Sequence, residues 1–226
     1  ESVAFYEDNL LEGTCQQWYE DGTLKTQNLF FKGLLHGDGK NPAVMVYNEK
    51  GGILELQDFR HGEPVGSHYK YHTNGKESYH VRYVNGKKEG REDFYHDDGT
   101  LLGGGEFRDG KAVGKHILHY PNDQIQSVVI YDDQGNILAP VEEFYENGNP
   151  LKRYSAKEGR YEGEYLTWYP TGHVKQHYNY EQGHLSGEQK EFYEDGTLAK
   201  KGTFSAGKQE GLYREWYPNG KLALKG

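Results

Sequence analysis

The sequence predicts an all-β fold: an elongated single antiparallel sheet of about nine consecutive 24-residue β-hairpin repeats. Three observations carry this. Tyrosines recur just ahead of glycine-containing turns, at Tyr19, Tyr47, Tyr71, Tyr95, Tyr120, Tyr145, Tyr169, Tyr193 and Tyr217, in steps of 28, 24, 24, 25, 25, 24, 24 and 24 residues. Two glycine turns punctuate each step, and glycine fills 31 of 226 positions. No window sustains apolar residues at i, i+3, i+4 and i+7, and each glycine inside a helix would cost roughly 1 kcal/mol. A fixed period of this length marks an array of one small unit, and arrays of this kind bind or scaffold more often than they catalyse.

Residues 188–211 give the unit in its cleanest form, two β-prone runs and two turns. Its first turn is Asp195-Gly196, with Asp21-Gly22, Asn147-Gly148, Thr171-Gly172 and Asn219-Gly220 at the same place elsewhere. Such pairs supply the positive φ angles of a two-residue primed turn, whose twist matches that of the flanking strands. The second turn, Gly-Lys-x-x-Gly, recurs with Gly86, Gly110 and Gly207 in the lead and returns the chain to the next hairpin. A two-residue loop at Asp195-Gly196 sets Glu194 opposite Thr197, Tyr193 opposite Leu198 and Glu191 opposite Lys200. Alternation then places Tyr193, Leu198 and Phe204 on one face, as it does Tyr95, Leu101 and Phe107. Phe192 and Phe94 fall on the other.

The period falters in places. About four extra residues around Asp38-Gly39-Lys40-Asn41-Pro42 account for the 28-residue step. Residues 123–140 lack a Gly-Lys-x-x-Gly closure, carry Asp123 where a turn glycine belongs, and add a turn cluster from Asp132 to Asn136. That stretch reads as a bend or as a degenerate repeat still paired in the sheet, within a single repeat domain over 1–226. Residues 1–14 read as an N-terminal cap on the first edge, and the last strand is left as an edge unless Lys221, Lys225 or a partner protects it.

Composition narrows the partners. Lys and Arg total 26 against 35 for Asp and Glu, a net charge of -9 with pI about 5.7. No basic footprint for nucleic acid exists, and charge alone disfavours anionic lipid. An acidic chain suits a basic protein partner. A hydrophobic fraction of 34% beside an aromatic fraction of 14% fits a sheet with little interior, where large rings bury much area per residue. Cys15 is the single cysteine and permits no internal disulfide. The sequence opens at Glu1, which suggests that a secretory leader, lipoprotein signal or further domain was removed upstream. The expected location is the periplasm or cell envelope if a leader was removed, and otherwise the cytoplasm.

Apparent catalytic motifs dissolve under the repeat. Gly105-x-x-x-x-Gly110-Lys111 resembles a phosphate-binding loop, but Ala112 stands where a hydroxyl is needed and the string recurs at Gly202, Gly207 and Lys208. His68 and His72, or His173 and His177, lie four apart, roughly 13 Å on a strand, and His116 and His119 point to opposite faces. Cross-strand chelation by His177 and His184 is the one metal arrangement left open, with surface or pairing roles favoured. Asp93, Glu143, Glu191 and Glu215 form a regular row that reads as cross-strand ion pairing rather than an acid/base pair. No enzyme, cofactor, metal or small-molecule substrate is expected.

The string aromatic-Tyr-x-(Asn/Asp)-Gly-x-Leu, then an aromatic and Gly-Lys-x-x-Gly, resembles the MORN repeat, more closely its bacterial variant. The copies starting at Trp18, Phe144, Phe192 and Trp216 carry it. The resemblance spans nearly the whole chain and departs in the second and fifth repeats. It implies a meander with protein-binding or membrane-proximal roles, and the family's common label implies an antitoxin or immunity-like component.

The position ahead of the repeat tyrosine reads Trp18, Val46, Lys70, Phe94, His119, Phe144, Trp168, Phe192 and Trp216. A position that varies while its neighbour does not marks a reading face, so Phe94, Phe144, Trp168, Phe192 and Trp216 are the candidate partner-binding residues. The alternative is that these rings cover a second face of the twisted sheet. The expected function is sequestration of another protein, a toxin or effector, with a scaffold at a membrane surface as the rival and carbohydrate binding left open by the exposed Trp and Tyr.

Overall fold

The computed structural model describes residues 1–226, contains no helix, and forms the antiparallel meander that the period predicts. The chain divides into two compact units, Glu1–Val113 and Gly114–Gly226. In the first, strands such as Gly13–Trp18, Leu24–Phe31, Ile53–Arg60, Glu63–Tyr71, Glu77–Val84, Gly90–Tyr95 and Leu101–Arg108 pair in sequence order. In the second, Val141–Phe144, Pro150–Lys157, Arg160–Trp168, Val174–Glu181, Gly187–Phe192, Leu198–Ser205, Lys208–Trp216 and Leu222–Lys225 do the same.

The two turns of each repeat exchange the roles that the sequence suggests. At Asp195-Gly196, Gly196 N donates to Tyr193 O at 2.9 Å and Tyr193 N donates to Thr197 O at 2.8 Å. Gly196 alone has a positive φ, 84°. This is a type I turn closed by a left-handed glycine, a three-residue loop, so Tyr193 lies opposite Thr197 instead of Leu198. The turn side chain reinforces this form: Thr197 N donates to Asp195 Oδ1 at 2.8 Å, an Asx bond that favours Asp195 outside the left-handed region. Asp21, Asn74, Asp98, Asn122, Asn147 and Asn219 each accept the same bond from the amide two residues on. The primed two-residue turn sits at the second position, where Ala206 and Gly207 have φ of 48° and 79°, and Asn85 and Gly86 of 49° and 76°. Ser205 accordingly faces Lys208, and Val84 faces Lys87.

A bulge after the first turn corrects the face assignment. Phe192 pairs with Leu198 while Glu191 pairs with Lys200, which leaves Ala199 as an extra residue on its strand. One extra residue reverses the alternation beyond it. Phe192 and Leu198 therefore share one face, and Phe204 joins Glu191, Gln189 and Lys200 on the other. In the first unit Tyr95 pairs with Leu101, and Phe94 shares its face with Gly103, Gly105 and Phe107.

Aligning on the turn glycine also changes the period. The residue three before it, or before left-handed Asp123 in the fifth repeat, is Tyr19, Asn48, His72, His96, Tyr120, Tyr145, Tyr169, Tyr193 and Tyr217. Tyr47, Tyr71 and Tyr95 fall one position earlier, in the place of Trp18 and Phe192. The irregular stretches remain paired. Ile125–Tyr131 pairs with Lys111–His119 and with Val141–Phe144, and Asp132 Oδ1 ties the added turn to Gln134 N at 2.9 Å and Asn136 N at 2.8 Å. The strand within residues 123–140 thus keeps both of its neighbours in the sheet. Within residues 1–14, Ser2–Val3 caps Gly13–Trp18, but Tyr6–Glu7 and Leu10–Leu11 form a hairpin through left-handed Asp8 and Asn9. That hairpin copies the second half of a repeat, with Asn9 in place of glycine.

Few side chains are buried. In the first unit Ala43, Met45, Val81 and Val113 are, with His68 and Glu92; in the second, Val128, Val141 and Ala199, with Gln189. With so small a core, turn geometry carries an unusual share of fold specification. A left-handed alanine costs roughly 1–2 kcal/mol, which asparagine largely avoids. Ala206→Asn, recreating the Asn85-Gly86 turn, should therefore stabilise by about 1 kcal/mol, seen as a raised urea midpoint. An unchanged or lowered midpoint would refute the turn assignment.

Candidate interaction surface

Most repeats reach the next through the residue three before the turn glycine, Asn48 and His96 being the exceptions. The Tyr120 hydroxyl donates to Phe144 O at 2.9 Å, Tyr145 to Trp168 O at 2.8 Å, Tyr169 to Phe192 O at 2.9 Å and Tyr193 to Trp216 O at 2.8 Å. In the first unit Tyr19 bonds Tyr47 O at 2.8 Å, and His72 Nε2 takes the same role toward Tyr95 O at 2.9 Å. Turn side chains add parallel rungs, such as Asn147 Nδ2 to Pro170 O at 2.9 Å and the His173 ring to Glu194 O at 2.6 Å.

The accepting carbonyls belong to the predicted partner-binding row. Phe144, Trp168, Phe192 and Trp216 pair with Pro150, Val174, Leu198 and Leu222 across their hairpins, one ring per repeat. All four rings are half-buried, and Leu222 is 50% exposed. Two strands per repeat set the rings roughly 10 Å apart. Phe94 is not among them. It occupies the position that Glu191 holds in its repeat and packs against Tyr79 at a ring separation of 5.1 Å. The first unit's members of the row are Trp18, Tyr47, Tyr71 and Tyr95, where the sequence reading has Val46, Lys70 and Phe94 for the last three. Aligned on the turn, the row is a Phe, Tyr or Trp in every repeat but the fifth, where His119 pairs with Ile125. Counting back from the glycine rather than the tyrosine would have found it.

The face of Glu191 is chemically different. The Tyr178 hydroxyl donates to Glu191 Oε1 at 2.5 Å, and Lys200 Nζ lies 3.4 Å from Glu191 Oε2. Burial and then this carboxylate push the Tyr178 phenol far above its usual range. Lys152 Nζ stands 4.5, 5.6 and 5.9 Å from the ring centres of Tyr154, Tyr165 and Tyr161, with Glu143 Oε1 at 4.0 Å. Burial pulls Lys152 down, but Tyr165 and Glu143 outweigh it and hold the ammonium above its usual value. In the first unit the same kind of face opens into a hollow of about 630 Å³, lined by Gln57, Phe59, Pro64, His68, Tyr79 and Phe94 among others. This clustering depends on the bulge and was invisible in sequence, although the tyrosines that form it were not.

Other motifs resolve into structure. Asp109 and Gly110 of the phosphate-loop lookalike are both left-handed, and the strand Lys111–His119 follows, so no helix N-terminus faces a phosphate. A Cβ at Gly104 would collide with Glu92 O, the close backbone approach that the glycine run suggests. His177 Nε2 lies 3.0 Å from Glu164, and its register partner is Lys190, not His184. Of the carboxylate row, Glu143 pairs with Lys152 and Glu191 with Lys200 across strands, whereas Asp93 pairs with Arg91 on its own strand at 2.7 Å and Glu215 accepts the Tyr213 hydroxyl at 2.7 Å.

Comparison with known proteins follows the register. The family described as the MORN repeat variant matches residues 11–32, 161–182, 185–206 and 209–226. No curated protein matches the chain. Among solved structures, a chain from "Crystal Structure of TcdB2-TccC3-Cdc42" is 11% identical over 96% of this chain and 14% of that one, with a TM-score of 0.19, too low to carry an argument. This chain thus spans about a seventh of the length of that one.

Two measurements test the surface. Tyr169→Phe, which deletes one phenol-to-carbonyl bond, should cost about 1 kcal/mol. Tyr145→Phe should add to it within ~0.5 kcal/mol. A neutral double variant would remove the rungs from the account. Glu188 is held at about 2 by hydrogen bonds from Lys190 at 2.5 Å and Lys201 at 2.6 Å. Its folded value lies below the ordinary 4.5, so its support is present at neutral pH and disappears as pH falls through about 2. The midpoint gap between wild type and Glu188→Gln should therefore be largest at neutral pH and close toward pH 2; a gap that widens in acid contradicts the pairing.

Proposed function

From four segments that are MORN repeat variants, we propose that this chain is a non-enzymatic binding protein that captures a basic protein on the aromatic row of its sheet. Repeats of this family are generally protein or membrane-lipid interaction modules. The observation that carries the reading is the row Phe144, Trp168, Phe192 and Trp216: half-buried rings at a fixed step, on a sheet with no helix packed over it. Evenly spaced, pre-oriented rings are good anchors because little side-chain freedom remains to be lost on binding.

Charge supports the choice of partner. The row's own face mixes both signs, with Glu142, Glu164 and Glu188 beside Arg153, Lys190, Lys201, Arg214 and Lys225. The acidic surplus sits along the adjoining turn edge, where Asp123, Glu146, Glu194 and Asp195 are all exposed and Lys221 is the one lysine in the corresponding loops of this unit. An acidic rim beside aromatic anchors speeds encounter with a basic partner and leaves affinity to the rings. A toxin or effector covered by this surface is the partner class that the family resemblance implies.

Capture from the native source with wild type and with the Trp168→Ala/Phe192→Ala variant provides the test. The partner recovered by wild type should be basic, and the variant should bind it roughly tenfold or more weakly while folding normally. It should also shield Trp168 and Trp216 from acrylamide quenching. Equal binding by a folded variant, or recovery of anionic vesicles in place of protein, would overturn the assignment. Coexpression with the recovered protein then decides whether its activity is silenced.

A further inference from the structure

The two units carry the same register with different side chains. Gly66 faces Tyr83 as Gly163 faces Tyr180; Phe59 faces Pro64 as Ala156 faces Tyr161; His68 faces Val81 as Tyr165 faces Tyr178. In the second unit this place is filled. Tyr161 packs at 5.2 Å from both Tyr165 and Tyr180, and at 5.3 Å from Tyr154, with Lys152 laid over the group. In the first unit Gln57, Pro64 and Glu55 replace Tyr154, Tyr161 and Lys152, and the space stays open as the hollow of about 630 Å³.

The walls of that hollow are aromatic and held in place. His68 is 6% exposed, its ring 5.3 Å from Phe59 and 4.6 Å from Tyr83, and its Nε2 lies 2.7 Å from Asp58 O. Tyr79 stands against Phe94 and donates its hydroxyl to Glu92 at 2.7 Å. The charges nearby are already spent on one another. Lys70 Nζ lies 3.4 Å from Glu55, Gln57 Nε2 donates to the same carboxylate at 2.8 Å, and Lys88 binds Glu92. What remains at the surface is a set of ring faces edged by neutral hydrogen-bonding groups from Gln57, Ser78 and Tyr83, with the compensated Lys70 at the rim.

We propose that the hollow bounded by Phe59, His68, Tyr79, Tyr83 and Phe94 is a binding site for an uncharged sugar ring. A pyranose carries an apolar C–H face and a hydroxyl edge, and this site offers the complement of each without a net charge to repel or select an ion. The volume suits one or two sugar units. Neither the aromatic row nor a protein partner enters this argument, so it does not rest on the function proposed above.

Saturation-transfer NMR on the full chain tests it, with cellobiose, chitobiose and maltose as probes at millimolar concentration and Nα-acetyl-lysine amide and benzoate as charged controls. At least one disaccharide should receive saturation, mostly at the protons of one ring face. The double variant Phe59→Ala/Pro64→Tyr transplants the Ala156–Tyr161 pair of the second unit and should fill the hollow, weakening the signal roughly tenfold. Gln57→Tyr, copying Tyr154, serves the same end should the first variant not fold. Trp168→Ala should leave the signal intact. Silence from all three sugars, undiminished transfer in a folded filled variant, or transfer to a charged control in their place would overturn the site.

Discussion

Tyr19, Tyr120, Tyr145, Tyr169 and Tyr193 each deliver a hydroxyl to a peptide carbonyl of the following repeat, and much of the surface inherits its order from that contact. The energetics divide the work. Burying about 100 Å² of ring contributes roughly 2–3 kcal/mol, whereas the hydroxyl bond adds about 1. The ring therefore holds neighbouring repeats together, and the hydroxyl fixes which carbonyl, and hence which register, they meet in. Where the position is His72, an imidazole reaches the same carbonyl, so the geometry rather than the phenol is what the array keeps. The constraint matters more here than in a two-layered fold because Val81 is the only large side chain that is fully buried.

Much of the fold was legible in the sequence because glycine and asparagine announce left-handed backbone whatever surrounds them. The period, the hairpins and the lack of helix all follow from that chemistry. Which turn takes which form was not legible. Asp195-Gly196 suits a primed turn and equally a type I turn ending in left-handed glycine; the Asx bond to Thr197 reinforces the second form. The bulge at Ala199 left no mark at all, since Leu198-Ala199-Lys200 would serve as well in a regular strand. That one residue moved Phe204 to the face of Glu191, and with it half of the expected surface.

The candidate site shows the same split. Phe144, Trp168, Phe192 and Trp216 share a row because in their repeats the aromatic and the tyrosine keep a fixed distance from the turn. Phe94 departs from them because its neighbour Tyr95 resembles the repeat tyrosine while occupying the row position itself, with His96 at the tyrosine's place. A side chain can be conserved in kind and shifted in register. In a sheet, where a shift of one residue exchanges the faces, that difference carries all of the functional meaning.

Two faces of a single sheet can also diverge independently. The row must supply carbonyls to the preceding tyrosines, so its backbone is fixed and its rings vary little in character. The opposite face has no such duty. It can be packed with Tyr161, Tyr165 and Lys152 in one unit and left open around Phe59 and His68 in the other, without disturbing a single strand pairing. An array that loses little stability when one place is emptied is free to turn that place into a site. The hollow lies among register positions whose counterparts in the other unit are filled, which makes it a variation on the repeat rather than a defect of packing.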